Sequence, residues 1–231
     1  MGKTSFESGG RRVAVEVFDA AGVTVRRPAV LMLHGADGLS YNHAYRSGAR
    51  AIAAAGYQVF LVHYLDRTAE RRASFASVFQ NFSPWADAVR GALSWAAAQP
   101  QVDPDRIGIV GISLGAALGL AVSAANPAVK SLVCYFGPLP QGAIPAGARL
   151  PPTLVLHGGA DAIVPVANAY ALQSLLSAQG ADHEVKVYAG EGHGFSGEAE
   201  RDATRRVVAF LARTLKDTSA GEAAPARRAG A

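Results

Sequence analysis

The feature that most constrains the fold is the segment Gly111-Ile112-Ser113-Leu114-Gly115 together with its flanks. An apolar run over residues 106–112 predicts a buried strand, and the small apolar residues 114–125 predict a helix directly after it. A serine at such a strand–turn–helix junction is the pattern called a nucleophile elbow. Its two glycines leave room where side chains would collide across the tight turn. The pattern is weak alone, so its value depends on this context and on partner residues downstream.

The remaining chain alternates apolar runs with helical patterns, which predicts a parallel sheet with helices on both faces. Besides the elbow strand, strands are expected over residues 13–18, 29–33, 57–63, 130–136, 153–156 and 184–188. The first of these is expected near the sheet edge, because one of its faces carries Glu16. Besides the elbow helix, helices are expected over residues 41–55, 84–99, 166–179 and 200–215, with a loop and a short helix over residues 65–83.

Length and composition limit the architecture and the partners. With 231 residues, 50% of them apolar, the chain can bury one large core, so residues 1–216 are expected to form a single α/β domain. Residues 217–231 are small and polar, which is typical of a disordered tail. The net charge of +4 comes from scattered arginines without an aromatic-studded basic stripe, so no nucleic-acid partner is expected.

The N-terminus and the hydropathy of the chain bear on the cell compartment. The polar N-terminus lacks an apolar signal region, and no apolar stretch reaches the roughly 18 residues of a membrane span. A cytoplasmic protein without membrane partners is therefore expected. Cys134 is the single cysteine, so neither an internal disulfide nor a cysteine-based metal cluster is expected, and its apolar neighbours favour a core position.

A serine hydroxyl at neutral pH needs a base that takes its proton, and the base needs a carboxylate that orients it. The order Ser, then Asp, then His along an α/β-hydrolase chain gives Ser113, Asp161 and His193. Asp161 follows a predicted strand, from which it can reach the carboxyl edge of the sheet. His193 lies between Gly192 and Gly194, which let a loop place the imidazole in a site.

Other residues compete for these roles. Asp182, Asp103 and Asp105 are rivals of Asp161, but all three precede strands and so belong at the opposite end of the sheet. Asp161 itself also suits an ordinary turn or helix cap.

The remaining histidines also have ordinary interpretations. His193 fits a surface loop as well as a site, and His43 and His183 are expected at the surface. His157 is expected to support the Asp161 loop rather than to react.

Two backbone N–H groups are candidates for binding a developing oxyanion. The first is that of Leu114, at the N-terminus of the elbow helix, where the helix dipole adds to the effect. The second is that of Ala36, in the loop over residues 34–38 that follows a buried strand. The alternative for this loop is a glycine-rich turn without a catalytic role.

A substrate pocket is expected where the predicted strands end. Its predicted lining residues are His34, His63, Tyr64, Phe136, Leu139 and Phe195. Arg67, Arg71 and Arg72 follow the strand over residues 57–63, and they either face water or place a positive charge in the pocket.

With these motifs the chain resembles the dienelactone hydrolase family of α/β-hydrolases. The resembling segments are Leu33-His34-Gly35 through Gly38-Leu39, Gly111-Ile112-Ser113-Leu114-Gly115, His157-Gly158 with Asp161 and Val164-Pro165, and Gly192-His193-Gly194-Phe195. They cover about residues 13–215. The resemblance implies an α/β-hydrolase fold with a mostly parallel sheet of seven or eight strands and no large cap domain.

The chain also departs from the family pattern. The family's namesakes use a cysteine nucleophile where this chain has Ser113, and a glutamate where it has Gly35. They also carry an arginine four residues after the catalytic histidine, where this chain has Gly197. That arginine helps to hold the carboxylate of the lactone, so its absence favours a general carboxylesterase over an enzyme for dienelactone.

These observations predict a serine hydrolase that cleaves small-molecule esters or lactones, short and neutral, through an acyl-enzyme. No cofactor and no metal are expected, and the protein is expected to be a monomer or a homodimer. Two alternatives stay open, namely a hydrolase of small peptides or amides, and a catalytically silent binding protein with a hydrolase fold.

Overall fold

The computed structural model describes residues 2–19, 25–40, 42–140 and 142–215. The strands are β1 (Gly2–Ser8), β2 (Arg11–Phe18), β3 (Arg27–Leu33), β4 (Gln58–Val62), β5 (Val102–Ile112), β6 (Val129–Tyr135), β7 (Thr153–Gly158) and β8 (His183–Tyr188). The helices are α1 (Asn42–Ala54), α2 (Phe75–Ala97), α3 (Leu114–Ala124), α4 (Ala167–Ala178) and α5 (Gly197–Leu215), with a 3₁₀ helix over Tyr64–Thr68.

Within the described part of the chain the strands form one eight-stranded sheet, in the order β1-β2-β4-β3-β5-β6-β7-β8. Strands β3 to β8 run parallel to one another. Strand β2 runs antiparallel to both of its neighbours, β4 and the edge strand β1. No inserted segment among these residues forms a large cap over the sheet. The expected α/β-hydrolase architecture is thus confirmed. The predicted tail, residues 217–231, lies outside the described residues, so the domain limit at residue 216 stays a prediction.

The sheet separates two hydrophobic cores. One core lies between the sheet and the helices α2, α3 and α4, and it includes Leu31 and Leu33 of β3. The other lies between the sheet and the helices α1 and α5, and it includes Val30 and Met32 of the same strand. Alternate residues of a buried parallel strand thus pack into opposite cores, which explains why such strands are apolar throughout. Among the described helices, none combines the length and apolar character needed to cross a membrane.

The sequence does not predict the edge strand β1, because residues 1–12 read as a polar N-terminus. It pairs with β2 through a turn at Gly9 and Gly10, whose φ angles are 51° and 73°. Only Phe6 of β1 is buried, where it stacks on Trp95 of α2. An edge strand with one buried side chain lacks the alternation by which a sequence reveals a strand.

The predicted start of the second helix at Pro84 was wrong, since α2 begins at Phe75 and contains Pro84. Ser74 caps the helix: its side chain accepts from the N–H of Ser77, whose own hydroxyl accepts from the N–H of Ser74. Proline is common in the first turn of a helix and unfavourable in its interior, so the sequence does not indicate a helix that runs through Pro84. This reciprocal cap, ten residues upstream of the expected start, begins the helix instead.

Glu16 of β2 is buried rather than solvated, with 1% of its surface exposed. Arg46 of α1 donates to both carboxylate oxygens, from Nε at 2.7 Å and Nη2 at 2.6 Å, and His63 Nε2 lies 3.2 Å from Oε1. The Arg46 hydrogen bonds hold the pKa of Glu16 below its ordinary value, although burial opposes them. The charge that suggested a sheet edge therefore belongs to a buried ion pair that fastens α1 to β2.

We expect Arg46→Met to lower the free energy of unfolding by roughly 3 kcal/mol at pH 7, because it leaves a buried carboxylate without its main partner. Since the pKa of Glu16 is lowered on folding, the stabilising effect of the pair is complete above pH 4.5 and is lost as the pH falls further. Urea denaturation at pH 7 and in the acidic range should therefore show a penalty that shrinks on acidification. A penalty that is the same at both pH values would contradict the role of the carboxylate.

Candidate active site

Ser113 lies at the junction of β5 and α3 with φ 53° and ψ −116°, a conformation that non-glycine residues rarely adopt. A Cβ atom at Gly111 would lie 2.5 Å from the Cα of Ala116 in α3. A Cβ at Gly115 would collide with the backbone of Leu33 and His34 at the end of β3. The two glycines thus let α3 turn back close to the sheet, which leaves the serine hydroxyl facing away from it.

The structure joins Ser113, His193 and Asp161 in one line of hydrogen bonds. The Ser113 Oγ lies 2.9 Å from His193 Nε2, and His193 Nδ1 lies 2.8 Å from Asp161 Oδ2. With the ring proton on Nδ1, the imidazole donates to the carboxylate and accepts from the hydroxyl. These residues come from three loops at the carboxyl edge of the sheet, after β5, β7 and β8.

Asp161 is fixed by its own loop. Its Oδ1 accepts from the backbone N–H groups of Ile163 and Val164, both at 2.9 Å, which leaves Oδ2 for His193. Burial raises the pKa of Asp161, but the hydrogen bonds from His193 and from these two N–H groups outweigh it, so the pKa lies below its ordinary value. His157 contacts Val164 O through Nε2 at 2.8 Å, and so supports this loop as expected.

The loop that bears His193 lies directly on the end of β7. A Cβ at Gly158 would collide with the carbonyl groups of Glu191 and Gly192, and a Cβ at Gly159 would lie 2.9 Å from Ala189. Two glycines after His157 are thus required for the close approach of the loops. The ring of Phe136 lies 4.7 Å from that of His193, between ring centres, and limits its movement.

The loop after β3 passes over Ser113, since a Cβ at Gly35 would lie 3.4 Å from the Cβ of Ser113. The Tyr45 hydroxyl accepts from the N–H of Gly35 at 3.1 Å and donates to Asp37 Oδ1. Ala36 accepts at its carbonyl from the N–H of Ala73 at 2.7 Å. These contacts fix a backbone segment beside the serine.

Both predicted oxyanion donors belong to this region. Leu114 is the first residue of α3, so its N–H has no acceptor within the helix. Ala36 lines the same cavity as Ser113. Their role as donors stays a prediction.

A cavity of about 670 Å³ opens beside the serine. Ser113 and His193 line it, as do Ala36, Phe136 and Phe195. Two of the six predicted pocket residues, Phe136 and Phe195, therefore belong to it.

The other four predicted pocket residues lie elsewhere. His34 and His63 line a smaller neighbouring cavity of about 420 Å³, and His63 is held there by Glu16. Tyr64 is fully buried and stacks on His34, and its hydroxyl donates to the His34 carbonyl at 2.8 Å, so both residues support the loop after β3. Burial lowers the pKa of His34 to about 4, so its ring is neutral at pH 7.

Leu139 does not line either cavity; its N–H donates to Asn168 Oδ1 at 3.1 Å. Arg71 and Arg72 border the smaller cavity, and Arg67 packs on the turn at Gly9. None of the three arginines lines the cavity that contains Ser113.

The sequence did not indicate the residues that line the inner part of the main cavity. They come from β3, β5, α1 and α5, among them Met32, Val110, Gly48, Ala51, Ala203 and Val207. The only signal was a stripe of small residues along α1. Such a stripe is equally typical of close helix packing, so it did not indicate a cavity.

The comparisons with known proteins agree with this architecture. The model of the dienelactone hydrolase family matches residues 15–223. A provisionally named carboxymethylenebutenolidase of Methylorubrum extorquens is 33% identical over 113 residues, which are 45% of this chain and 39% of the relative. The match thus spans about two fifths of the length of that curated relative.

Solved structures share the fold at low sequence identity. A dienelactone hydrolase from Anabaena variabilis has a TM-score of 0.73 at 18% identity, with 93% of this chain and 98% of that chain covered. A dienelactone hydrolase-like promiscuous phosphotriesterase from metagenomic libraries has a TM-score of 0.80 at 20% identity, with 93% and 98% covered. With the family model matching most of its length, the chain belongs to the dienelactone hydrolase family of α/β-hydrolases.

Proposed function

We propose that the protein hydrolyses carboxylic esters through an acyl-enzyme on Ser113. The observation that supports this most directly is the line of hydrogen bonds from Ser113 through His193 to Asp161, which ends at a cavity large enough for a small ester. This arrangement supplies a nucleophile, a base and an orienting carboxylate.

In the proposed reaction, Ser113 Oγ attacks the ester carbonyl while its proton moves to His193 Nε2. The resulting oxyanion accepts hydrogen bonds from the N–H groups of Leu114 and Ala36. The tetrahedral intermediate then expels the alcohol, which takes the proton from Nε2 and leaves an acyl group on Oγ. A water molecule attacks this acyl group, again with His193 as the base, and releases the carboxylic acid and the free serine.

Asp161 orients His193 and stabilises the positive charge that forms on its ring. Since its pKa is lowered, it is ionised at neutral pH, and it stabilises the imidazolium that forms in both steps. Its backbone hydrogen bonds from Ile163 and Val164 hold Oδ2 in place without help from the substrate.

The charges around the cavity favour a neutral substrate. Its charged lining residues, within the described part of the chain, are Asp37 and Glu200, apart from His193 if protonated. Phe136 and Phe195 add aromatic surface near the histidine. A carboxylate bound here would lose water without gaining a cationic partner.

We therefore expect nitrophenyl butyrate to be cleaved with a kcat/KM at least about tenfold higher than nitrophenyl hydrogen succinate, which has an equally long acyl chain with a terminal carboxylate. Arg71→Ala and Arg72→Ala serve as controls and should leave this ratio unchanged, because both arginines border the neighbouring cavity. A tenfold preference for the anionic ester that disappears in either variant would show that a loop arginine reaches the substrate.

The ester activity itself is tested by labelling with a fluorophosphonate probe. The probe should modify Ser113 in the wild type, as located by mass spectrometry of the peptide, and nitrophenyl esters should be hydrolysed. Matched nitroanilides separate an esterase from an amide hydrolase. A protein that neither reacts with the probe nor hydrolyses any ester would instead be a binding protein with this fold.

A further inference from the structure

The cavity beside Ser113 continues past the reacting atoms, between α1 and α5, along the face of the sheet. We call this inner part the α1–α5 cleft and define it by Met32, Gly48, Ala51, Val110, Ala203 and Val207. Every one of these side chains is apolar or absent. Nothing in the proposed chemistry at Ser113 requires a space of this kind.

On α1 the cleft is lined by some of the smallest residues of that helix. Gly48 and Ala51 lie one turn apart on the same face of α1, where longer side chains would fill the gap. A Cβ at Gly48 would already lie 3.2 Å from the methyl group of Met32. The absence of a side chain at position 48 therefore leaves space between α1 and Met32 of the sheet.

The apolar cleft is part of a longer cavity wall. Lining residues run from Ala44 to Ile52 on α1 and from Glu200 to Val207 on α5, and the polar ones, Ser47, Glu200 and Thr204, are more exposed than Ala203 and Val207. At the rise of an α-helix, eight residues along α1 correspond to about 12 Å. The space beside the nucleophile therefore extends along both helices, which suits a linear hydrocarbon chain.

We propose that the α1–α5 cleft binds the acyl chain of the substrate and that the protein prefers linear, medium-chain esters. This inference rests on the proposed ester hydrolysis and specifies its substrate class. It differs from the short acyl group that the sequence predicts, because the cleft is formed by segments distant in the chain and no local pattern indicates it.

The order of the chemical steps assigns the cleft to the acyl chain rather than to the alcohol. The alcohol must leave and be replaced by water before deacylation, whereas the acyl group stays on Ser113 Oγ through both steps. An alcohol chain bound in the cleft would have to leave it in every turnover before water attacks the acyl group. The acyl chain can stay in place until the acid is released.

The test compares nitrophenyl esters of acetic, butyric, hexanoic, octanoic and decanoic acids. Burial of each methylene should raise kcat/KM by roughly fourfold until the cleft is filled. Octanoate should therefore exceed butyrate by at least about tenfold. Equal values for butyrate and octanoate, or a decline from acetate onwards, would overturn the proposal.

Two substitutions narrow the cleft from opposite walls. Ala51→Leu on α1 and Thr204→Leu on α5 should each lower the octanoate-to-acetate ratio of kcat/KM at least tenfold. The matched control is Ala54→Leu, an exposed position on α1 outside the cleft, which should leave the ratio unchanged. The two variants lie on different helices, so if one of them folds poorly, the other still tests the proposal. A wild-type ratio in both folded variants would contradict the assignment.

A second series varies the alcohol instead, with the acetates of ethanol, butanol and octanol followed in a pH-stat. Alcohol length should change kcat/KM by less than threefold, and a tenfold rise with alcohol length would place the alcohol in the cleft. Labelling of Ser113 by the fluorophosphonate probe and hydrolysis of the acetate report on the proposed function separately. If both occur while chain length has no effect, the cleft assignment fails alone; if neither occurs, the ester chemistry fails.

Discussion

Replacing Ser113 by alanine is expected to lower kcat for nitrophenyl esters by about 10⁴-fold or more, as removal of a triad member does in serine proteases. The reason is that Oγ forms the acyl-enzyme in the proposed reaction, and among the residues that the structure describes it is the one hydroxyl in contact with His193 Nε2, at 2.9 Å. The assay is steady-state hydrolysis under saturating ester, together with loss of fluorophosphonate labelling.

The loss should come from chemistry and not from unfolding. The Ser113 side chain makes no capping hydrogen bond to α3, and alanine removes a single atom from it. The melting temperature should therefore stay close to that of the wild type. Ser174→Ala, at an exposed position on α4, is the matched control and should keep full activity. A Ser113→Ala protein that retains most of its esterase activity would refute the assignment of the nucleophile.

The site residues could be predicted from the sequence where they directly follow a predicted strand. Ser113, Asp161 and His193 each follow a predicted strand, and the carboxyl ends of parallel strands meet at one edge of a sheet. Local pattern and chain order were therefore enough to predict that they would lie together. Their distances of 2.8 and 2.9 Å depend on how the loops pack, for which Gly158 and Gly159 gave the relevant but unrecognised signal.

The predictions that failed depend on contacts between distant segments. His63 follows a strand, as the three site residues do, but Glu16 holds its ring away from the cavity of Ser113, and these two residues are 47 positions apart. The cleft likewise arises from α1 and α5, whose facing residues are separated by about 150 positions in the chain and whose spacing no local pattern contains. Sequence periodicity predicts which face of a helix is buried, and it does not predict whether the facing side chains meet.

The role of Asp161 gives a second large expected effect. Asp161→Asn should lower kcat by roughly 10³- to 10⁴-fold, by analogy with the same change in serine proteases. The structure supplies the reason. The N–H groups of Ile163 and Val164 both point at Oδ1, so the amide oxygen of the asparagine must take that position and its NH₂ group must face His193.

An NH₂ group beside His193 Nδ1 reverses the histidine tautomer. The ring nitrogen must then accept, its proton moves to Nε2, and Nε2 can no longer take the proton of Ser113. Because the two backbone hydrogen bonds survive, the variant should fold with a melting temperature near that of the wild type. The measurement is kcat for a nitrophenyl ester together with the rate of fluorophosphonate labelling, and both should fall.

Asp182→Asn is the matched control, since Asp182 was the nearest rival in the sequence. Asp182 accepts at its backbone carbonyl from Thr153, the first residue of β7, so it lies at the end of that strand opposite to Asp161. Its exposed carboxylate pairs with Arg213 of α5, and an exposed pair of this kind contributes little to stability. Asp182→Asn should therefore keep kcat within about twofold of the wild type. If Asp182→Asn abolished activity while Asp161→Asn preserved it, the order Ser113, Asp161, His193 would be wrong, and with it the role of the loop after β7.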